Sequence, residues 1–438
     1  MNNKKNIIVF MYNFPPIGAG RGIAWTYFAK ELAIDYNVRI ITIDPSESDP
    51  MYNNSKLNLV GESYKIHRTN PGKFYRFLYP KKKSVVKSKA IKTKSNKYKI
   101  KKILSSLYKN IIRATIFPDR MIFWNKHAYR EFIKINENNP TDIIVTVGFP
   151  FSTHLLGMKI KRKFGCRLIL DYGDPWSFNP SNETIPKWRS RLDYFFEKKV
   201  INHSDYITVT TDSTCSQYKK IYNLSNKIKV IRQGVDLVKY NSVFNQNTDK
   251  KRKTNIIKLF YSGIFYYDIR NPKQFFRALS LIDFNRITDL TIDITIAGKM
   301  EQYVLDYVNK LSFSKNLIIN FIGNIPFEDV IRLQIECDSL LYFGNEGDLQ
   351  VPGKLYEYIA ARRPIFAIAP VFDESCEIIT KNNRGFVVEN DAFKIKEEFI
   401  RFLNSIIDNS STFNLNEVQD FDWGKIGKQY KEIIDKFV

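Results

Sequence analysis

The residues best suited to chemistry on a phosphorylated ligand form one run, Val351-Pro352-Gly353-Lys354-Leu355-Tyr356-Glu357-Tyr358. Pro-Gly breaks the chain, a helix-like stretch follows, and a buried-looking strand begins at Ile365. A helix that starts on such a loop presents free backbone N–H groups and a positive dipole end, which suit phosphate. Lys354 adds a full positive charge, and Glu357 offers an acceptor for sugar hydroxyls; the plainer role for Glu357 is exposed helix surface. A second loop runs from Tyr12 to Gly22 and reads Y-N-F-P-P-I-G-A-G-R-G. Small residues such as Gly20 let a ligand approach the backbone, and Arg21 supplies a fork for phosphate or carboxylate. Gly18-x-Gly20 opens like a dinucleotide fingerprint. Ile23 stands where a third small residue is needed, however, and Phe-Pro-Pro lengthens the turn, so that fingerprint is not met.

Other candidates sit where apolar runs end. Asp171-Tyr172-Gly173-Asp174-Pro175-Trp176 closes one such run. Its acids could hold acceptor hydroxyls, or Asp174 could stabilise a turn while Trp176 packs. Two residues separate the aspartates, so this is not a D-x-D metal motif. His154 follows Gly148-Phe149-Pro150, with a helix expected from about Ser152. Gly263 follows another apolar run, and Arg270 and Lys273 come next, either as exposed cations opening a helix or as anion ligands.

These loops must be positioned by alternating strands and helices. The expected strands are Ile7–Met11, Val38–Ile43, Ile143–Val147, Leu168–Asp171, Tyr206–Thr210 and Ile228–Ile231, then Ile257–Tyr261, Ile292–Ala297, Ile318–Ile322, Ser339–Phe343, Pro364–Ile368 and Gly385–Val388. Helical patterns between them indicate α/β architecture with parallel sheets. At 438 residues and 44% hydrophobic, the chain has enough material for two or three cores. We expect domains over 1–235 and 236–415, then a terminal helix within 416–438, where Trp423, Ile426, Tyr430 and Ile433 recur at helical spacing.

The net charge of +23 predicts attraction to anionic partners. Lys81–Lys102 is lysine-dense and free of acids, and Ile103, Leu104, Leu107, Tyr108, Ile111 and Ile112 then follow at helical spacing. The pair reads either as a solvated loop on a core helix or as a dock for anionic lipid. Aromatics are sparse in the run, so nucleic acid is not expected there. Cys166, Cys215, Cys337 and Cys376 are far apart, which argues against a disulfide framework or zinc site and fits a reducing cytosol. The first apolar run is too short for a signal segment, and no stretch approaches the roughly 18 apolar residues that span a bilayer.

In order and placement, V-P-G-K-x-x-E-Y, F-P-P-x-x-G-x-G-R and D-x-x-D-P-W resemble motifs of the retaining glycosyltransferases of family four, which have the type B fold. The resemblance implies two Rossmann-like domains facing across a cleft, with a C-terminal helix crossing back to the first. It implies a nucleotide-sugar donor held by Gly20, Arg21, Gly263, Arg270, Lys273, Gly353, Lys354 and Glu357. His154 and Asp174 would serve the acceptor. Family members carry two Glu residues separated by seven others. Counting back from Glu357 reaches Leu349, so Glu346 is the stand-in for the first acid. Ile264 occupies the family's Arg position, which leaves Arg270 as the candidate diphosphate ligand and Lys273 as the spare. No cofactor and no metal are implied, because basic groups neutralise the leaving diphosphate. The implied activity is transfer to a saccharide acceptor, often lipid-linked, in surface polysaccharide synthesis on the cytosolic face of an anionic membrane. A sugar-nucleotide 2-epimerase of the same fold, and a non-catalytic protein binding sugar nucleotides or anionic lipid, are the alternatives.

Overall fold

The computed structural model describes residues 4–438 apart from 19, 81–115, 180–184, 247–254, 268, 348, 409 and 411–412. The lysine-rich run and the apolar helix expected after it therefore lie outside the described residues. The chain forms two compact units, Met1–Arg232 with Ile426–Val438, and Gln233–Lys425.

The first unit is built on seven strands: β1 (Asn6–Phe10), β2 (Asn37–Ile43), β3 (Lys65–Thr69), β4 (Ile143–Gly148), β5 (Arg167–Tyr172), β6 (Tyr206–Val209) and β7 (Ile228–Val230). Their spatial order is β3-β2-β1-β4-β5-β6-β7, and every pairing is parallel. The central strands are near-continuous apolar runs because helices cover both faces of a parallel sheet. The sequence reading missed β3. Its Lys-Ile-His-Arg-Thr lies at the sheet edge with only Thr69 buried, so it carries no apolar run.

The second unit has six strands: β8 (Ile256–Ser262), β9 (Thr291–Ala297), β10 (Leu317–Gly323), β11 (Ser339–Phe343), β12 (Ile365–Ala369) and β13 (Gly385–Glu389). They are again all parallel, in the order β10-β9-β8-β11-β12-β13. Both units are thus doubly wound α/β layers. In each sheet the order reverses once, between β1 and β4 and between β8 and β11. Loops leaving the carboxyl ends of such a strand pair diverge and open a crevice, the place where ligands bind in these folds.

The terminal helix Trp423–Asp435 returns the chain to the first unit. Its residues Ile426, Tyr430, Ile433 and Ile434 are buried. The Tyr430 ring lies 5.0 Å from Trp25 and 5.1 Å from Phe28 on the helix Gly20–Leu32. Among the described residues no helix is long and apolar enough to cross a membrane.

Candidate functional site

The second unit gathers most of the candidate residues at the β8/β11 reversal. β8 ends at Ser262, and Gly263 follows in close contact with the next strand end. A Cβ on Gly298, whose φ is +129°, would lie 2.0 Å from the Gly263 carbonyl oxygen, so the chain needs glycine there. Arg270 donates from Nη2 to Asn345 Oδ1 at 2.7 Å, linking the loop after β8 to the loop after β11. The adjoining backbone is tied as well, by Glu346 N–H to the Ile269 carbonyl at 2.8 Å. Burial works against the Arg270 charge, but the hydroxyls of Tyr261, Tyr342 and Tyr358 outweigh it and its pKa is raised.

The helix Lys354–Ala360 begins beside this crevice. Lys354 Nζ lies 2.7 Å from Glu357 Oε2, both half-buried. Gln334 Nε2 donates to the same oxygen at 3.3 Å and to Ser262 Oγ at 3.2 Å, while Tyr240 donates to Gln334 Oε1 at 2.6 Å. Glu357 is therefore oriented from the buried side by Gln334 and from the open side by Lys354. Sequence reasoning missed Gln334. Its signal was a polar residue in the buried stripe Val330, Ile331, Gln334, Ile335 of the helix Phe327–Glu336.

The other candidates of this unit have the following surroundings. Lys273 Nζ sits 5.2 Å and 5.5 Å from the ring centroids of Tyr267 and Tyr307. Gly353 is exposed, with no protein atom within 4 Å of where its Cβ would be. Lys354 opens the helix and is paired with Glu357. Glu346 is exposed at a turn that Gly347 makes with φ +106°, whereas Leu349, at the position of the family's first acid, is buried.

The first unit treats its candidates differently. Arg21 is buried and faces Asp171, with Nη2 2.6 Å from Oδ1 and Nε 3.0 Å from Oδ2. Its Nη1 donates to the Ile231 carbonyl at 3.3 Å. Trp25 Nε1 (2.6 Å) and Thr208 Oγ1 (2.9 Å) complete the carboxylate's partners. The expected phosphate fork is thus one half of an internal ion pair, because an acid ends the strand two places away. Gly20 opens its helix in open space; the glycine that the fold requires is Gly22, whose Cβ would meet the Asn13 carbonyl at 2.4 Å.

His154, expected to face the cleft on the acceptor side, is fully buried. The helix Ser152–Phe164 packs its first turn onto the sheet, which places the imidazole 2.8 Å from Thr146 Oγ1 and its centroid 4.4 Å from the Tyr172 ring. Burial lowers its pKa to about 3, so it is neutral at pH 7. Asp174 is half-buried in its turn, and Trp176 packs inside, donating to Asp193 at 2.9 Å. Sequence reasoning also passed over a pocket of about 250 Å³ at the ends of β1 to β3. Phe74, Phe123, Phe149 and Tyr79 line it, with Asp49 and Arg120 as its charged groups.

Residues 95–239 match the family model described as Glycosyltransferase Family 4. An uncharacterized glycosyltransferase of Methanocaldococcus jannaschii, MJ1069, is 21% identical over 315 residues, which are 68% of this chain and 76% of the relative. Among solved structures, a sucrose-phosphate synthase from Thermosynechococcus elongatus covers 99% of both chains at TM-score 0.63 and 13% identity. Anabaena HepE, solved in complex with UDP, covers 99% of this chain and 100% of its own at TM-score 0.61 and 12% identity. A UDP-N-acetylglucosamine 2-epimerase shares the fold at TM-score 0.55 and 9% identity. In the matched segment and in its fold the chain is similar to family-four glycosyltransferases of the type B fold.

Proposed function

We propose that the protein moves a sugar from a nucleotide-sugar donor bound to the second unit onto a saccharide acceptor bound to the first. Transfer retains the anomeric configuration and uses no divalent metal. One observation carries the reading: Arg270 and Lys354, with the oriented carboxylate of Glu357, converge at the carboxyl ends of β8 and β11. A departing nucleoside diphosphate develops negative charge that the two cations meet, while Glu357 accepts from ribose hydroxyls. Lys354 has three donors, so it can keep Glu357 and still reach a phosphate oxygen. The UDP held by the HepE relative supports a nucleoside diphosphate as the product. On the first unit, the aromatic faces of Phe74, Phe123 and Phe149 suit the apolar faces of a sugar ring, with Asp49 and Arg120 for its hydroxyls. The acceptor is lipid-linked and belongs to surface polysaccharide synthesis at the cytosolic face of an anionic membrane, a reading supported by the +23 charge and the lysine run at 81–102.

Calorimetry with UDP, GDP and ADP tests the donor site. The Glu357→Ala variant should lose about tenfold to a hundredfold in affinity for the preferred diphosphate, the range of a hydrogen bond to a charged group. Unchanged affinity rejects the assignment. Turnover should survive EDTA; complete loss restored by magnesium or manganese would show that a metal is required. The epimerase reading, favoured by the shared fold, predicts sugar-nucleotide conversion with no acceptor added.

A further inference from the structure

The helix Lys187–His203 in the first unit has two chemically opposite faces. Both of its acids point inward: Asp193 and Glu197 are 2% and 0% exposed. Arg189 (3.1 Å) and Trp176 (2.9 Å) hold Asp193, while Tyr218 and Tyr222 each donate to Glu197 at 2.6 Å. Burial raises the pKa of Glu197. The outward face carries Trp188, Arg191, Tyr194, Phe195, Lys198 and Lys199, all exposed. At about 100° per residue they fall on one arc, with Trp188 and Phe195 two turns apart on the same line and Arg191 and Lys198 alongside.

Trp188 is 56% exposed and Phe195 59%. Large rings flanked by cations, with no acid among them, form the face of a helix that lies in a membrane interface. Charge complementarity selects the partner. A face bearing only cations, on a chain of net charge +23, fits a surface of phosphates better than a mixed-charge protein patch. Residues 116–118 pack on the same helix. Arg189 donates to the carbonyls of Ile116 and Pro118, and the Phe117 ring lies 4.8 Å from Phe196.

We propose that the outward face of Lys187–His203 is a docking surface for an anionic phospholipid bilayer, with Trp188 and Phe195 among the headgroups and Arg191, Lys198 and Lys199 on the phosphates. The idea supplies the membrane contact for the lipid-linked acceptor proposed above, but its test needs no turnover. Of the five tryptophans, Trp25, Trp124 and Trp176 are at most 1% exposed and Trp423 is 6% exposed, so Trp188 is the one that solvent reaches. With phosphatidylglycerol vesicles at low salt, tryptophan emission of the full chain should shift to the blue and become shielded from acrylamide. Trp188→Phe should abolish both changes. The double variant Arg191→Glu, Lys198→Glu should weaken vesicle association by at least about tenfold while keeping the thermal midpoint and UDP affinity. Unchanged emission overturns the proposal even if residues 81–102 carry the protein to the vesicles. So does full association of the charge-reversed variant, or an equal shift on neutral phosphatidylcholine. Failure to bind UDP would instead count against the transferase reading alone.

Discussion

Each sheet reverses its strand order once, and each places a glycine loop and an arginine beside the reversal. The two arginines meet different surroundings. Arg21 faces Asp171, whose carboxylate is filled by Arg21, Trp25 and Thr208. Arg270 faces a neutral amide and tyrosine hydroxyls. The first pair is electrically closed and ties β5 to the helix Gly20–Leu32. The second leaves a positive charge without a carboxylate partner among the described residues, in the crevice where an anion would enter. Position at a strand end therefore does not make a cation available for a ligand. What decides it is whether a neighbouring strand end supplies the counter-charge.

Removing the partner should separate the two cases most sharply. Asp171→Ala leaves Arg21 buried without its carboxylate and should cost about 3–5 kcal/mol of stability. Asn345→Ala removes one neutral acceptor from Arg270 and should cost about 1 kcal/mol. Urea unfolding measures both. Equal losses would mean that Arg270 is as structural as Arg21. His154 offers a second contrast, through pH. Its folded-state pKa of about 3 lies below the ordinary 6.5, so between those values the unfolded chain binds the extra proton and stability falls as pH falls. Relative to His154→Gln, the wild type should lose about 1.4 kcal/mol per pH unit below 6.5, roughly 2 kcal/mol by pH 5. A flat difference between pH 7 and 5 would show that the imidazole reaches solvent, as an acceptor-side role requires.

Legibility followed the distance over which a feature is encoded. Continuous apolar runs such as Ile143–Val147 and Ser339–Phe343 marked central strands, because burial on both faces leaves no alternation to misread. The edge strand β3 escaped because charges occupy it. Lys354 and Glu357 were legible as a local motif, three residues apart on one helix turn. The Arg21–Asp171 pair spans 150 residues, so the chain suggested both as ligands without showing that they face each other. Likewise Ser152, Thr153 and His154 look like polar surface in sequence, yet all three are fully buried where their helix meets the sheet. Nothing local announces that; the packing of β4 and β5 does it.

The finest test of the comparison lies within the second unit. Glu346 and Glu357 are both candidate acids beside the same crevice, but only Glu357 is oriented by neighbours. Glu346 is exposed, and its backbone N–H, not its side chain, makes the bond to Ile269. Glu346→Gln should therefore change stability by less than about 0.5 kcal/mol, the usual range for an exposed surface substitution. If Glu346 stands in for the family's first acid, it touches the sugar and not the nucleotide. Affinity for the free nucleoside diphosphate should then stay within about twofold of wild type while kcat falls, because an interaction made to the reacting sugar counts in the transition state. Calorimetry on the diphosphate and steady-state kinetics on the intact donor separate the two quantities. Wild-type kcat would remove Glu346 from the site, and parallel loss of diphosphate affinity would move its contact from the sugar to the nucleotide.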